Sequence, residues 1–288
     1  MRHRLTSERW WQRVDPAGVL GYLLARQKPG GGFSQTPLLP ATVEDTYYCL
    51  RSLELLGAPG RARRLGGYLE AVPVSATSPA KILFQQAYLR RRAAAPLEGL
   101  EEALATRLSR QPALAELYYS LRAARQMRGN AGARLEAAVR LAARGRTLRW
   151  RTPADLRQVL VLGEFFGLAP PEGATGWLLA CQNLDGGFGF LPGTTSFLEN
   201  TYHALRALAQ LGERPRRPEE CGQFVLRCQG GGGFGRTSST VLSPETTCMG
   251  LASLGLLDAQ QAAGQPQIFL GGAKELAVEE ALWRPMLG

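Results

Sequence analysis

Three stretches of this chain repeat one pattern at matching intervals. Each has a Gln, a Gly-Gly-Phe turn and then a Glu-x-Thr; the turns are Gly31-Gly32-Phe33, Gly186-Gly187-Phe188 and Gly232-Gly233-Phe234. From each Phe the Glu lies eleven residues on (Glu44, Glu199, Glu245) and the Thr thirteen (Thr46, Thr201, Thr247). Leucines follow the Thr at +4, +7 and +10: Leu50, Leu53, Leu56; Leu205, Leu208, Leu211; Leu251, Leu254, Leu257. Units repeated in this way bury their apolar faces against one another, so the chain must stack or close rather than form one ordinary core.

Each unit reads as helix, Gly-rich turn, extended loop, helix. The first helix ends in Gln27, Gln182 or Gln229, and the paired glycines stop it because glycine accepts a positive φ cheaply. The Phe then folds back as an apolar plug. The second helix opens near Glu-x-Thr and carries its leucines at helical spacing. The Phe residues are separated by 155 and then 46 positions. The longer gap has room for about three further, eroded units. Tyr118-Tyr119-Ser120-Leu121-Arg122 echoes Tyr47-Tyr48-Cys49-Leu50-Arg51, with Leu117 in the place of Thr46. A helix from Pro153 through Leu156, Leu160 and Phe165 to Gly167 is predicted as another, and Pro79 to Leu89 as a weaker one. Six hairpins of inner and outer helices can close into a ring that buries the end repeats against each other. One domain over residues 1–288 is expected, with clear repeats at 18–57, 174–212 and 221–257 and eroded ones across 60–170. Ala259 to Gly288 carries no repeat signal and would close the ring or cover a mouth of it.

Composition narrows the classes. A hydrophobic content of 45% is normal for a globular protein. No apolar run approaches the roughly 20 residues that span a bilayer. Met1-Arg2-His3-Arg4, running into Trp10-Trp11-Gln12, lacks the apolar core of a secretory signal. Five dispersed cysteines favour reduced thiols and a cytoplasmic protein. The net charge is +10, and of 34 basic residues all but Lys28, Lys81 and Lys274 are arginine. These read mainly as a solvated basic surface, the rival being capture of an anionic partner, lipid headgroup or diphosphate. No nucleic-acid-binding signature accompanies them, so no nucleic acid is expected.

The string Cys181-Gln182-Asn183-Leu184-Asp185-Gly186-Gly187-Phe188-Gly189, continued by Glu199-Asn200-Thr201-Tyr202-His203-Ala204-Leu205, resembles the prenyltransferase and terpene-cyclase (squalene cyclase-like) repeat. The third copy, from Cys228-Gln229 to Leu257, is most similar to protein prenyltransferase β subunits. The resemblance implies an all-α fold, an (α/α)6 toroid of about twelve helices in six hairpin repeats. It also implies an apolar central funnel that takes an isoprenoid, either a polyprenyl diphosphate or a terpenoid, for transfer or cyclisation. The family's zinc-holding Asp-x-Cys pair falls on Glu199 and Thr201, and its zinc His on Thr246. Threonine is a poor zinc ligand, so no metal or other cofactor is expected. The diphosphate-gripping Arg and Lys fall on Leu191 and on Thr194 or Thr195. The five aspartates (Asp15, Asp45, Asp155, Asp185, Asp258) include no neighbouring pair, which leaves no Asp-rich acid or metal motif.

Two readings of function therefore stay open: an isoprenoid enzyme of this type, or a non-catalytic toroid that binds or scaffolds. The partners expected are an isoprenoid or terpenoid ligand, a second protein subunit as β subunits have, and peripheral membrane contact. Candidate acids are Glu199, Glu245 and Glu44, which are either helix-terminal carboxylates favoured by the macrodipole or a general acid facing the funnel. Candidate ligand contacts are Tyr47, Tyr202, His203, Thr201, Thr246 and Arg236, with the aromatics available for cation–π contact.

Overall fold

A computed structural model describes residues 9–127 and 129–262. Its twelve α-helices among the described residues alternate between two layers. The outer members are α1 (Pro16–Leu24), α3 (Leu65–Glu70), α5 (Leu100–Leu108), α7 (Asn130–Ala143), α9 (Ala174–Ala180) and α11 (Pro218–Arg227). The inner members are α2 (Val43–Leu55), α4 (Ala80–Arg92), α6 (Leu114–Ala124), α8 (Pro153–Phe166), α10 (Leu198–Leu211) and α12 (Pro244–Ala262). The inner helices pack side by side in chain order, and α12 returns to pack on α2. The ring is closed, and the fold is the α/α toroid that the repeats predict. The expectation for Ala259 to Gly288 falls, from residue 263 onward, outside the described residues.

The conserved spacing within each clear repeat has a direct physical cause. Phe33, Phe188 and Phe234 are fully buried, each contributing about 1.5–3 kcal/mol of apolar burial. Burying a turn residue hides its backbone N–H, which must then find an acceptor. The Thr thirteen residues on supplies it. The N–H of Phe33 donates to Thr46 Oγ1 at 2.9 Å, that of Phe188 to Thr201 at 3.0 Å and that of Phe234 to Thr247 at 3.1 Å. Each hydroxyl donates in turn to a carbonyl one helical turn back: Thr42, Phe197 and Ser243, at 2.6, 2.9 and 2.7 Å. The Thr thus locks turn, loop and inner helix together.

The first glycine of each turn makes the next joint. Gly31, Gly186 and Gly232 have φ of 105°, 88° and 81°, the left-handed region. A Cβ on Gly31 would lie 2.1 Å from the Arg64 carbonyl oxygen, and one on Gly186 2.1 Å from the Glu220 carbonyl carbon. In both cases the turn is pressed onto the start of the next outer helix, α3 or α11. The third turn does the same across the seam: a Cβ on Gly232 would lie 2.4 Å from the carbonyl oxygen of Gly18 in α1. Antiparallel β1 (Gln229–Gly230) and β2 (Gly233–Phe234) pair Gln229 with Phe234, and the other repeats reproduce this as Gln27–Phe33 and Gln182–Phe188 bridges.

The eroded half builds the same helices without the lock. Thr152 caps α8 by accepting from Asp155 N at 3.1 Å, with Pro153 preset at the first position. Glu116 reaches back to Ala113 N at the start of α6. Pro79 precedes α4. Local capping serves α6 and α8, while α4 is tied to the end of α3 by Arg90, which donates to the Leu69 and Val72 carbonyls at 3.0 and 2.8 Å.

Candidate functional site

The inner helices enclose a small central cavity of about 100 Å³. A short sequence signal recurs on three of them: Tyr47-Tyr48-Cys49-Leu50-Arg51 on α2, Tyr118-Tyr119-Ser120-Leu121-Arg122 on α6 and Tyr202-His203-Ala204-Leu205-Arg206 on α10. At helical pitch the second aromatic and the Arg stand one turn apart on one face. Arg51, Arg122 and Arg206 all line the cavity, joined by Lys81 from α4 and Arg157 from α8. One carboxylate, Glu245 of α12, lines it with them. The aromatic wall includes Tyr47, Phe84, Tyr119 and Tyr202, with Tyr47 edge-on to Phe84 at 5.6 Å between ring centroids. Arg157 lies 5.5 Å from the Tyr202 ring and Arg122 4.3 Å from that of Phe84. Gln85 is 1% exposed and lines the cavity with its carbonyl oxygen unpartnered.

Two ion-pair clusters engage residues of this lining. At one, Arg51 donates to Tyr88 Oη at 2.8 Å, and Tyr88 donates to the buried carboxylate of Glu54. Burial pushes the Tyr88 phenol up to about 12, with Glu54 adding to the shift, so it stays a donor. At the other, Lys81 Nζ stands 2.5 Å from Glu44 and 3.3 Å from Glu245, and Tyr48 donates to Glu245 at 2.6 Å. Burial opposes the charge on Lys81, but the two carboxylates outweigh it and hold its pKa above the ordinary lysine value. Tyr48 is held well above the usual phenol range by burial and by Glu245. Glu245 also borders a wider recess of about 500 Å³ at the mouth, lined by Gln35, Thr42, Glu44, Asp45 and Ser243. The Lys81 cluster is the partition between recess and chamber.

His203 stands beside Arg157, with Nδ1 3.5 Å from a guanidinium nitrogen. Loss of water and the cations Arg157, Lys81 and Arg206 hold its imidazole well below the ordinary range, so it is neutral.

The residues singled out by sequence separate into three groups. Tyr47, Tyr202, His203 and Glu245 lie at the central chamber, and Glu44 lies at its mouth. Glu199 is engaged elsewhere, 2.6 Å from Arg236, whose side chain is largely exposed; neither lines the chamber. Thr201 and Thr246 are corrections: both are buried and bonded to turn and loop backbone, Thr246 reaching the Phe234 carbonyl at 2.6 Å. Their hydroxyls hold the scaffold together. The central cavity also differs in lining from the expectation. Its described wall is narrow, aromatic and cationic, where an apolar lining is what the resemblance implies. Arginines read as a solvated surface are in part interior: Arg51, Arg157 and Arg206 are 8%, 5% and 2% exposed.

The prenyltransferase alpha-alpha toroid domain matches residues 4–81, 161–238 and 217–276, most of the chain. The chain belongs to that family. No curated protein matches it. In the protein prenyltransferase β subunits that the sequence resembles, the zinc donors fall where this chain has Glu199, Thr201 and Thr246. Both threonine hydroxyls are bound to backbone groups, so these residues do not fit the metal. Among the described residues no group of three or more His, Cys, Asp or Glu converges elsewhere. Burial pushes the Cys181 and Cys248 thiols up to about 11 and that of Cys228 to about 12, so all three stay protonated near neutral pH. Among the described residues no helix is long and apolar enough to cross a membrane.

Proposed function

We propose that this toroid binds an anionic ligand of the phosphate class at its centre, the diphosphate end of an isoprenoid being the member of that class most in keeping with the family. The observation that carries the reading is the cavity wall, where five basic side chains meet one carboxylate. The neighbouring Glu54 pairs with Arg51, and Glu44 with Lys81. Guanidinium groups present flat, forked donors that match phosphate oxygens, and a low-dielectric chamber strengthens that attraction. A volume of about 100 Å³ suits a headgroup; pockets that enclose a whole drug-sized ligand run to about 300–1,000 Å³. A prenyl tail does not fit within that volume and would lie outside the chamber.

Calorimetric titration with inorganic pyrophosphate and with a prenyl diphosphate tests this. Both are expected to bind, more weakly as salt rises, and Arg206→Lys is expected to weaken both while keeping the fold. Binding of neither compound at low salt would sink the proposal. Tighter binding of the prenyl compound would show that the tail makes contacts of its own.

One contact favours a second reading, that the ligand is transformed as well as held. A phenol proton directed onto a carboxylate at the edge of the chamber, as in Tyr48 and Glu245, is an arrangement that general acid–base chemistry uses. Under that reading Glu245→Gln abolishes isoprenoid transfer or cyclisation while pyrophosphate still binds. Under the binding-only reading no turnover is found in either protein.

A further inference from the structure

The loops that join each Gly-Gly-Phe turn to its inner helix share a second property that the turn lock does not require. They span residues 34–42, 189–197 and 235–243, and among these twenty-seven residues the one charged residue is Arg236, in a chain that is 20% charged. They are also where the large apolar side chains are bare. Leu38 is 97% exposed and Val241 79%, and Leu39, Phe190 and Leu191 lie between 40% and 48%. These are five of the eight exposed large hydrophobics among the described residues.

The three loops sit on one face. Loops 34–42 and 235–243 border the same mouth recess through Gln35, Thr42 and Ser243. The carbonyl of Arg236 accepts from Leu198 N at 2.9 Å, joining the third loop to the end of the second. The apolar tips therefore rim the mouth of the ring over three successive repeats.

The geometry points to docking of this rim on an anionic lipid surface. Three observations select lipid over a protein partner. The apolar groups stand on separate loop tips and make no continuous groove, which suits insertion into a fluid layer. The polar residues between them are Gln, Ser, Thr, Gly and Pro, which tolerate the headgroup region without the cost of burying charge. Cations anchor the loop bases: Arg26 donates to the Gln35 carbonyl at 2.9 Å and Lys28 to that of Pro37, while the exposed Arg236 pairs with Glu199. The net charge of +10 belongs to the whole chain and draws it to anionic headgroups at long range, with Glu44, Asp45 and Glu245 set back in the recess behind the tips. The inference does not depend on what the central chamber holds.

Vesicle co-sedimentation tests it, with the full chain, phosphatidylcholine vesicles and vesicles of phosphatidylcholine mixed with phosphatidylglycerol. The expected result is binding to the anionic vesicles, reduced about tenfold or more in a Leu38→Ser, Phe190→Ser, Val241→Ser triple variant. These side chains are exposed, so circular dichroism and the melting temperature are expected to stay at wild-type values. Absence of wild-type binding would overturn the inference. So would equal binding by the triple variant, which would place the contact on arginines elsewhere. A concentration-dependent dimer that the triple variant abolishes, without vesicle binding, would reassign the rim to a second copy of the chain.

Discussion

The two arcs of the ring reach one architecture by different means. In the arc of α10, α12 and α2, a Phe plug, a Thr hydroxyl and a left-handed glycine tie each turn to its inner helix and to the next outer helix. In the arc of α4, α6 and α8 that lock is absent among the described residues: α6 and α8 carry local caps, and α4 is held by Gln86 and Arg90, which donate to the Pro73, Leu69 and Val72 carbonyls. The difference teaches where the fold tolerates drift. A long-range tie fixes thirteen residues of spacing, because turn and helix must meet at one hydrogen bond. A local cap fixes only three or four. The family match follows the same line, falling on residues 4–81 and 161–276 and leaving the locally capped stretch between them uncovered. Yet both arcs supply the central chamber: Arg51 and Arg206 come from the locked arc, and Lys81, Arg122 and Arg157 from the other.

The largest test of this contrast is Gly186→Ala. Its Cβ would meet backbone at 2.1 Å with φ at 88°, and a loss of about 4 kcal/mol or more in urea denaturation is expected. The matched control is Gly145→Ala, between α7 and α8, where φ is 72° but no atom lies within 4 Å. There only the left-handed strain of about 1–2 kcal/mol should appear. Equal losses at the two sites would erase the distinction.

Next in size is Thr201→Val, which orphans the buried Phe188 N–H and is expected to cost about 1–3 kcal/mol. The same change at Thr46 and Thr247 should cost a similar amount. A series scattered across zero would show that the lock is not energetic.

A smaller effect concerns the chamber that both arcs share. His203 is neutral in the folded protein at a pH where it would begin to charge in the unfolded chain. Its contribution to stability is therefore present above its ordinary pKa of about 6.5 and declines as pH falls below it, by at most about 1.4 kcal/mol per pH unit. His203→Gln should flatten that slope, and saturating pyrophosphate should lessen it by screening the surrounding cations. An unchanged slope in the variant would assign the pH dependence to carboxylates.

The smallest effect is expected from Glu199→Gln. Its partner Arg236 is largely exposed, and pairs of that kind contribute about 0–1 kcal/mol. Loss of a ligand-dependent activity with the fold intact would return Glu199 to the site.

Much of this was legible in the residues. The spacing of Phe, Glu, Thr and Leu requires turns and helices at set intervals, and α4, α6 and α8 appear where the fainter echoes place them. The cationic belt was also legible, as Tyr-Tyr-x-Leu-Arg twice and Tyr-His-x-Leu-Arg once. It passes as packing and surface charge because one helix does not reveal what stands opposite its arginines. Thr201 and Thr246 illustrate the converse: their alignment with metal ligands suggests a site, while their hydroxyls serve the backbone.

By itself the sequence determined the unit, since periodic apolar faces and paired glycines constrain the chain locally through backbone sterics and burial. The tertiary structure alone decided what the ring encloses. Closing α12 onto α2 turned five basic side chains from distant segments toward one small volume, and only that convergence distinguishes a cationic chamber from a greasy funnel. Periodicity identifies which face of a helix points inward, whereas the charge at the centre is a sum over six helices that are neighbours only in space.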